Sequence, residues 1–144
     1  MASKINFFSE DIKYVLRDKV AVRKWLMDAA LNEGCIIGEV SIIFCSDAYL
    51  LEQNKRYLKH STLTDIITFD SSDGKNLSGD IFISIERVCE NAIKYKVPKN
   101  QELRRVMIHG LLHLCGYKDK TASERKKMRR KEDEYLLKTT LSVI

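Results

Sequence analysis

Four short runs rich in β-branched and aromatic residues alternate along this chain with segments of helical periodicity. The runs cover residues 5–8, 40–44, 64–70 and 81–85, and each is bounded by polar or glycine-containing stretches typical of strand ends. Strands that alternate with helices build layered domains, in which the helices pack on the sheet. The sequence therefore predicts an α/β fold of the α+β layered type, with about five helices on a small mixed sheet of four strands.

Five segments repeat their apolar residues with the period of a helix. We place these helices at residues 19–33, 47–58, 86–96, 101–115 and 121–138. Four of them follow a short polar residue whose side chain can accept a hydrogen bond from the first turn, as an N-cap does. The predicted caps are Asp18, Ser46, Asn100 and Thr121. No repeat or linker interrupts the pattern, so we expect residues 1–144 to form one domain.

Two classes of protein are disfavoured by what the sequence lacks. It has no run of about 18 apolar residues, and its N-terminal segment contains both acids and bases where a signal peptide would be continuously apolar. Its four cysteines form no C-x-x-C pair, which argues against a thiolate zinc site or a redox motif. We therefore expect a cytoplasmic protein with no membrane partner, and we expect no nucleotide cofactor.

The segment HGLLHLCGYKD, residues 109–119, is the part of the sequence most indicative of chemistry. Residues four apart lie on the same face of a helix, so His109 and His113 present two imidazoles to one point. Gly116 can adopt the left-handed conformation that ends a helix, so that the chain turns back. The carboxylate of Asp119, three residues later, can then lie beside the two imidazoles as a third ligand. Two imidazoles and a carboxylate match zinc, and three protein ligands leave the fourth tetrahedral position open, as in catalytic sites.

The same histidines could also be packing residues, because two histidines four apart occur by chance. The chain has only three histidines, however, and two of them share this apolar helix. Burying both imidazoles without partners is unfavourable, so we favour a site for one zinc ion, although other divalent metals accept the same ligands. The helix is zincin-like, but Gly110 stands where the proteases of that type have their H-E-x-x-H glutamate, which argues against peptide hydrolysis.

From these residues outward, the sequence resembles the YbeY family of metal-dependent endoribonucleases, which act in the maturation of small-subunit ribosomal RNA. Residues 109–117 (HGLLHLCGY) are similar, position by position, to the family motif H-G-x-L-H-L-x-G-Y. Residues 64–69 (TDIITF) and 79–83 (GDIFI) are similar to the family strands T-D-V-L-S-F and G-D-I-x-I. The acids at residues 132–134 fit the family's closing helix, so the likeness runs from about residue 54 to residue 135.

The resemblance implies a single endoribonuclease domain over residues 1–144, which hydrolyses phosphodiester bonds of single-stranded RNA with a zinc ion held by His109, His113 and Asp119. It implies a role in forming the 3′ end of 16S ribosomal RNA and in ribosome biogenesis. The small ribosomal subunit and its assembly factors would be the partners. The motif contains no evident general base, and the attacking group is either a metal-bound water or the 2′-hydroxyl of the RNA.

Two positions depart from the family pattern. The family usually has Asp-His after the motif tyrosine, whereas this chain has Lys-Asp, so the carboxylate of Asp119 replaces a histidine and lowers the charge of the metal site by one. Where the family has Tyr-Arg, Leu58 stands in place of the arginine. Arg56 and His60 are the neighbouring residues that could take over its role.

The net charge of +5 is concentrated beside the metal motif. Residues 118–131 contain eight Lys or Arg and two acids, a net charge of +6. A dense basic stretch next to a metal ligand is typical of a surface that binds RNA phosphates, although a charged run can also be a solvated helix face. The predicted RNA-binding residues are Lys118, Lys120, Arg125, Lys126, Arg129 and Arg130, with Arg104 and Arg105 as candidates to extend the surface.

Two other functions stay open at this point. A metal-stabilised RNA-binding assembly factor would bind RNA without cleaving it, and a zinc peptidase would need a general base that Gly110 does not supply. The acids Asp65, Asp70 and Asp80 flank predicted strands and could line a cleft, but acids at strand ends more commonly form turns.

Overall fold

The computed structural model describes residues 4–58 and 64–143 of the chain. Within these ranges it contains the four strands and five α-helices that the sequence predicts. The strands are β1 (Lys4–Ser9), β2 (Ile36–Cys45), β3 (Ile66–Asp70) and β4 (Asn76–Ser84). The helices are α1 (Lys19–Asn32), α2 (Asp47–Gln53), α3 (Ile85–Tyr95), α4 (Lys99–Leu114) and α5 (Ala122–Val143), and a π-helical turn (Asn54–Leu58) continues α2.

The sheet has the strand order β1-β2-β4-β3. β1 and β2 are parallel, as are β2 and β4, whereas β3 and β4 form an antiparallel pair. The predicted mixed sheet is therefore confirmed. Among the described residues, no helix has both the length and the apolar character that crossing a membrane requires.

The main core lies between one face of the sheet and the helices α1, α3, α4 and α5. Side chains of a strand alternate between the two faces. In β4, Ile81 and Ile83 accordingly enter the main core, while Phe82 lies on the other face in a smaller cluster with Ile67 and Leu50 of α2. This arrangement buries α4 at the centre of the helical layer and fixes its position on the sheet.

Helix α4 approaches the sheet closely at Gly110. A Cβ atom at this position would lie 2.9 Å from Ile66 Cδ1 and 2.9 Å from Ile81 Cγ2, closer than side-chain carbons normally pack. Glycine therefore allows α4 to pack on β3 and β4. The position that carries a glutamate in zincin proteases faces the sheet here, and a side chain there would force Ile66 and Ile81 to shift.

The ends of the helices test the predicted caps. Ser46 caps α2 by accepting a hydrogen bond of 3.1 Å from the first turn, and Thr121 accepts one of 3.0 Å at the start of α5. Asp18 is the N-cap residue of α1, as predicted, but its backbone is left-handed and its side chain makes no capping hydrogen bond. The cap predicted at Asn100 was wrong: α4 begins directly after Pro98, whose carbonyl accepts the first amides of the helix.

Candidate metal centre

The structure brings together the three residues that the sequence predicts as metal ligands. His109 and His113 lie on consecutive turns of α4, and Asp119 lies in the loop between α4 and α5. The Nε2 atoms of the histidines are 3.0 Å apart, and each lies 3.2 Å from Asp119 Oδ2. Ligand atoms at zinc bond lengths around a tetrahedral ion are about 3.3–3.4 Å apart. The triangle therefore has nearly the size of one face of a zinc coordination sphere.

A tight turn carries the chain from α4 back to Asp119. Gly116 has a φ of 107°, in the region that favours glycine. The Tyr117 amide donates a hydrogen bond of 3.0 Å to the carbonyl of Leu112, which closes the end of the helix. The turn that the sequence predicts at Gly116 is thus present, and it is what allows residues on a helix and on a loop to meet.

The outer nitrogens of both imidazoles already have hydrogen-bond partners. His109 Nδ1 lies 2.6 Å from Glu132 Oε2, and His113 Nδ1 lies 2.9 Å from the backbone carbonyl of Tyr117. A carboxylate and a carbonyl can only accept hydrogen bonds, so each Nδ1 atom must carry a proton to donate. In the neutral form of each ring, the lone pair is then on Nε2. Three electron-pair donors then converge on one point, which is the arrangement that a metal cation requires.

Glu132 of α5 is the buried carboxylate that holds His109. Its side chain is 6% exposed, and its second oxygen accepts a hydrogen bond of 2.9 Å from Arg105. The same guanidinium contacts Asp133 at 2.7 Å. Carboxylates behind ligating histidines fix the ring and increase its basicity. Glu132 has this position relative to His109.

The site is strongly negative around His109. Burial opposes the charged imidazolium, but the hydrogen bond to Glu132 and the charges of Glu132, Asp119 and Asp65 outweigh it and raise the pKa of His109 above its ordinary value. The field that favours a proton on this ring also favours a metal cation, and metal binding releases the proton. The residues present therefore fit a divalent metal ion.

A second buried carboxylate fixes the turn that leads to Asp119. Glu33, at the end of α1, is 9% exposed and accepts hydrogen bonds from the hydroxyls of Tyr117 (2.6 Å) and Tyr135 and from Lys131 (3.3 Å). Burial opposes the ionised form, but these donors outweigh it and lower the pKa of Glu33. We call Glu33, Tyr117, Lys131 and Tyr135 the Glu33 cluster; it ties α1, the turn and α5 together.

All six residues predicted to bind RNA lie on exposed surface: Lys118, Lys120, Arg125, Lys126, Arg129 and Arg130. Of the six, Arg125 and Arg129 line a cavity beside His109 and Asp119. Lys118 lines a separate depression next to the Gly116 turn. The two arginines are therefore the two of the six that share a cavity with His109 and Asp119.

The arginines considered as an extension of the basic surface lie elsewhere. The side chain of Arg105 is 14% exposed and is paired with two carboxylates, so it stabilises the interior of the site rather than its surface. Arg104 lines a different depression, together with Tyr14. Side-chain direction could not be read from sequence periodicity here, because both faces of α4 carry polar residues.

The three strand-flanking acids have different roles. Asp65 lines the cavity beside His109, and Asp80 is exposed. Asp70 forms a turn, since its carboxylate accepts a hydrogen bond of 2.9 Å from the amide of Ser72. The turn interpretation therefore holds for Asp70, whereas Asp65 is a cavity residue.

The position of the missing family arginine is only partly covered by the structure. His60 and the side chain of Leu58 lie outside the described residues. Arg56 has its guanidinium 5.8 Å from the centre of the Tyr57 ring, on the π-helical turn. The replacement for the arginine accordingly stays a hypothesis.

Sequence reasoning did not assign a role to Glu132, Glu102 or Glu33. The one signal was the resemblance of residues 132–134 to the closing helix of a family, which indicated the helix but not the contact with His109. Glu33 meets Tyr135 across 102 positions of sequence, and no local pattern indicates such a contact.

Comparison with known proteins gives a consistent result. The sequence profile of the family described as Endoribonuclease YbeY matches residues 4–140. Relatives of that name from Flavobacterium psychrophilum and Christiangramia forsetii are 52% and 51% identical, over 90% and 91% of this chain and 92% and 91% of theirs. The fold is similar to the solution structure of a Thermotoga maritima protein, with a TM-score of 0.65, 25% identity and coverage of 94% of this chain and 89% of the other.

Proposed function

The chain belongs to the YbeY endoribonuclease family, and from this premise we propose that it is a zinc-dependent endoribonuclease specific for single-stranded RNA. Residues 1–144 would form one such domain, acting in the cytoplasm on the 3′ end of 16S ribosomal RNA during ribosome biogenesis. Its partners would be ribosomal RNA, the small ribosomal subunit and the assembly factors of that subunit.

The convergence of His109 Nε2, His113 Nε2 and Asp119 Oδ2 carries this proposal. Two imidazoles and one carboxylate with both outer nitrogens already engaged are a ligand set for zinc. When bound there, the ion supplies a Lewis acid that polarises a phosphoryl oxygen and offsets the negative charge of the reacting phosphate.

The chain's own residues orient this site and bind the substrate. Glu132 and the Tyr117 carbonyl fix the two imidazoles so that their lone pairs point inward. Arg125 and Arg129, exposed at the cavity beside the triad, supply guanidinium groups for the phosphates that flank the cleaved bond. Lys118, Lys120, Lys126 and Arg130 add positive charge along the path of the RNA strand.

An RNA-binding assembly factor without turnover is the second candidate, because the same basic surface would bind RNA whether or not the metal acts in hydrolysis. A peptidase is disfavoured further by the packing of Gly110 against Ile66 and Ile81, because this position faces the sheet and the glutamate of a zincin would displace both side chains. The two RNA hypotheses differ in one observable, cleavage in a single turnover.

The test combines metal content by mass spectrometry with single-turnover cleavage of precursor ribosomal RNA. We expect about one zinc per wild-type chain, and loss of both metal and cleavage in His113→Ala and in Asp119→Ala. Asp73→Ala, which removes an exposed acid from the loop between β3 and β4, is the matched control and should keep both.

Cleavage by metal-free wild type or by His113→Ala at the wild-type rate would refute metal-dependent catalysis. Salt-sensitive RNA binding that survives in His113→Ala, with no cleavage by any preparation, would support the assembly factor instead.

A further inference from the structure

A cavity of about 280 Å³ opens beside His109 and Asp119 and extends beyond the ligand triad. Its lining includes the apolar side chains of Ile66, Val106 and Met128. Pockets for whole drug-sized molecules begin at about 300 Å³. The cavity is thus large enough for one ring system next to whatever group the triad binds.

The charges of this cavity are divided between its interior and its exposed residues. The interior lining holds the carboxyl groups of Asp65, Glu102 and Glu132 and one guanidinium, that of Arg105, which is already paired with Glu132 and Asp133. Burial raises the pKa of Asp65 and of Glu102. Arg125 and Arg129 are exposed. Carboxylates repel a phosphate and attract N–H donors, whereas exposed guanidinium groups bind phosphates. The cavity therefore suits a neutral group with N–H donors whose attached phosphate stays near the arginines and the triad.

Glu102 is the residue that points to a ligand. It lies in the first turn of α4, is only 5% exposed, and its carboxyl group makes no hydrogen bond or ion pair with any residue that the structure describes. Among the described residues, Arg87 Nε is the one fully buried side-chain atom without a hydrogen-bond partner, so the unpaired carboxyl oxygens of Glu102 are open to the cavity. Since Glu102 lines the cavity, a ligand with N–H donors that enters the cavity would hydrogen-bond to this carboxyl group in place of water.

We propose that this cavity binds one unpaired base of the RNA beside the cleaved phosphate, with Glu102 accepting hydrogen bonds from the base. The inference rests on the proposed function and deepens it, because a base held by its Watson–Crick edge must come from a single strand. Guanine offers a carboxylate two adjacent N–H donors on that edge, and uracil offers one. The preferred base is therefore guanine.

Two further side chains suit this ligand. Asn91 of α3 contributes an amide, which both donates and accepts hydrogen bonds. Tyr95, at the end of the same helix, also lines the cavity and is 51% exposed, so its ring is available to stack on a neighbouring base. An apolar lining, a carboxylate, an amide and an aromatic ring together form a base-binding site.

The test measures binding of nucleoside 5′-monophosphates to the zinc-loaded protein by calorimetry. GMP should bind at least about fivefold more tightly than UMP, the low end of what specific hydrogen bonds to a base edge contribute. IMP lacks the 2-amino group of guanine and, like UMP, offers the carboxylate one N–H donor, so it should bind more weakly than GMP. In Glu102→Gln the preference should disappear while zinc content stays unchanged.

Glu90→Gln is the matched control, because it removes one carboxylate from an exposed position of α3 and should keep the preference for GMP. Should Glu102→Gln fail to fold, the binding ratios of the wild type and the NMR shift of the Asn91 side-chain amide on addition of GMP still decide. Equal binding of GMP and UMP, or no binding, would overturn the inference. So would a second metal ion that Glu102→Gln removes.

The same RNA cleavage assay separates this inference from the proposed function. Cleavage without any base preference next to the cut bond leaves the endoribonuclease standing and refutes the base site. A preference for GMP in a protein that never cleaves RNA supports the base site and refutes the endoribonuclease.

Discussion

His109 and His113 lie one turn apart on α4, yet the protein holds their imidazoles by different means. His109 is fixed by a side chain, the buried carboxylate of Glu132 on α5. His113 is fixed by a backbone atom, the carbonyl of Tyr117. The charge that supports His109 can be removed by a single substitution of Glu132. The support of His113 comes from the backbone and depends on the conformation of the turn.

The two contacts therefore act differently: Glu132 changes the electrostatic environment of His109, whereas the Tyr117 carbonyl mainly positions the ring of His113. Glu132 adds a negative charge next to the ring and raises the pKa of His109, although burial opposes this. The Tyr117 carbonyl adds no formal charge, and the Glu33 cluster fixes it from outside the site. We therefore expect changes at Glu132 to act mainly on metal affinity and changes in the Glu33 cluster to act mainly on the free energy of unfolding.

The largest effect is expected from Glu132→Ala, which removes the acceptor of His109 and one partner of Arg105. Loss of such a carboxylate behind a ligating histidine lowers metal affinity by about 10- to 100-fold. Competition with a zinc-binding chelator measures this affinity. Asp133→Asn is the control, because it also removes a partner of Arg105 but leaves His109 untouched; a similar loss of affinity there would assign the effect to Arg105.

A smaller effect is expected from Glu33→Gln, which replaces the ionised acceptor of the Glu33 cluster. Hydrogen bonds to charged groups contribute about 1.5–3 kcal/mol, so we expect the free energy of unfolding in urea to fall by about 2 kcal/mol. Metal affinity should change less than in Glu132→Ala. If Glu33→Gln lowers the free energy of metal binding by more than it lowers the free energy of unfolding, the turn, and not the carboxylate of Glu132, has the larger influence on metal binding.

The stabilisation from Glu33 should depend on pH with a defined sign. Burial opposes ionisation, but the donors from Tyr117, Tyr135 and Lys131 lower the pKa of Glu33 below its reference value of 4.5. A carboxyl with a lowered pKa in the folded state stabilises the protein above its unfolded pKa and loses this effect as pH falls through the folded value. The stability difference between wild type and Glu33→Gln should therefore be full at neutral pH and vanish in acid. A difference that grows on acidification would contradict the prediction.

The smallest effect is expected from Tyr117→Phe. It removes the hydroxyl that donates to Glu33 but keeps the backbone carbonyl that accepts from His113. Because this hydrogen bond is one of several to the ionised Glu33, we expect the free energy of unfolding to fall by about 1.5 kcal/mol, the low end for a bond to a charged group. Zinc affinity should stay near that of the wild type. If chelator competition shows that Tyr117→Phe lowers zinc affinity as much as Glu132→Ala does, the support of His109 by Glu132 and that of His113 by the Tyr117 turn are not independent.

The local elements of this protein could be predicted from its sequence. The triad depends on a helical repeat of four and a glycine turn within eleven residues, and the structure has both. The mixed sheet followed from four apolar runs. Asn100 was misassigned as a cap, since α4 begins directly after Pro98. Asp18 has the predicted cap position but no capping side-chain hydrogen bond, because a short polar residue before a helix does not fix the backbone conformation.

The long-range contacts of the site could not be predicted in the same way. Glu132 meets His109 across 23 residues, and Glu33 meets Tyr117 across 84. Glu102 is an acid in the first turn of a helix, where acids are common because they offset the helix dipole. Its burial against a cavity follows from the packing of α4 and has no local sequence signal.

Because helix α5 is the last element of the chain to be synthesised, the contacts that it makes with the metal site are the last to form. A protein chain leaves the ribosome from its N-terminus, so the three proposed ligands emerge before Glu132, Lys131 and Tyr135. A chain whose synthesis stops after Asp119 therefore contains the whole ligand motif but lacks the carboxylate behind His109 and two members of the Glu33 cluster. Full support of the site is delayed until the last helix has been made, and a nascent chain has only its unsupported form.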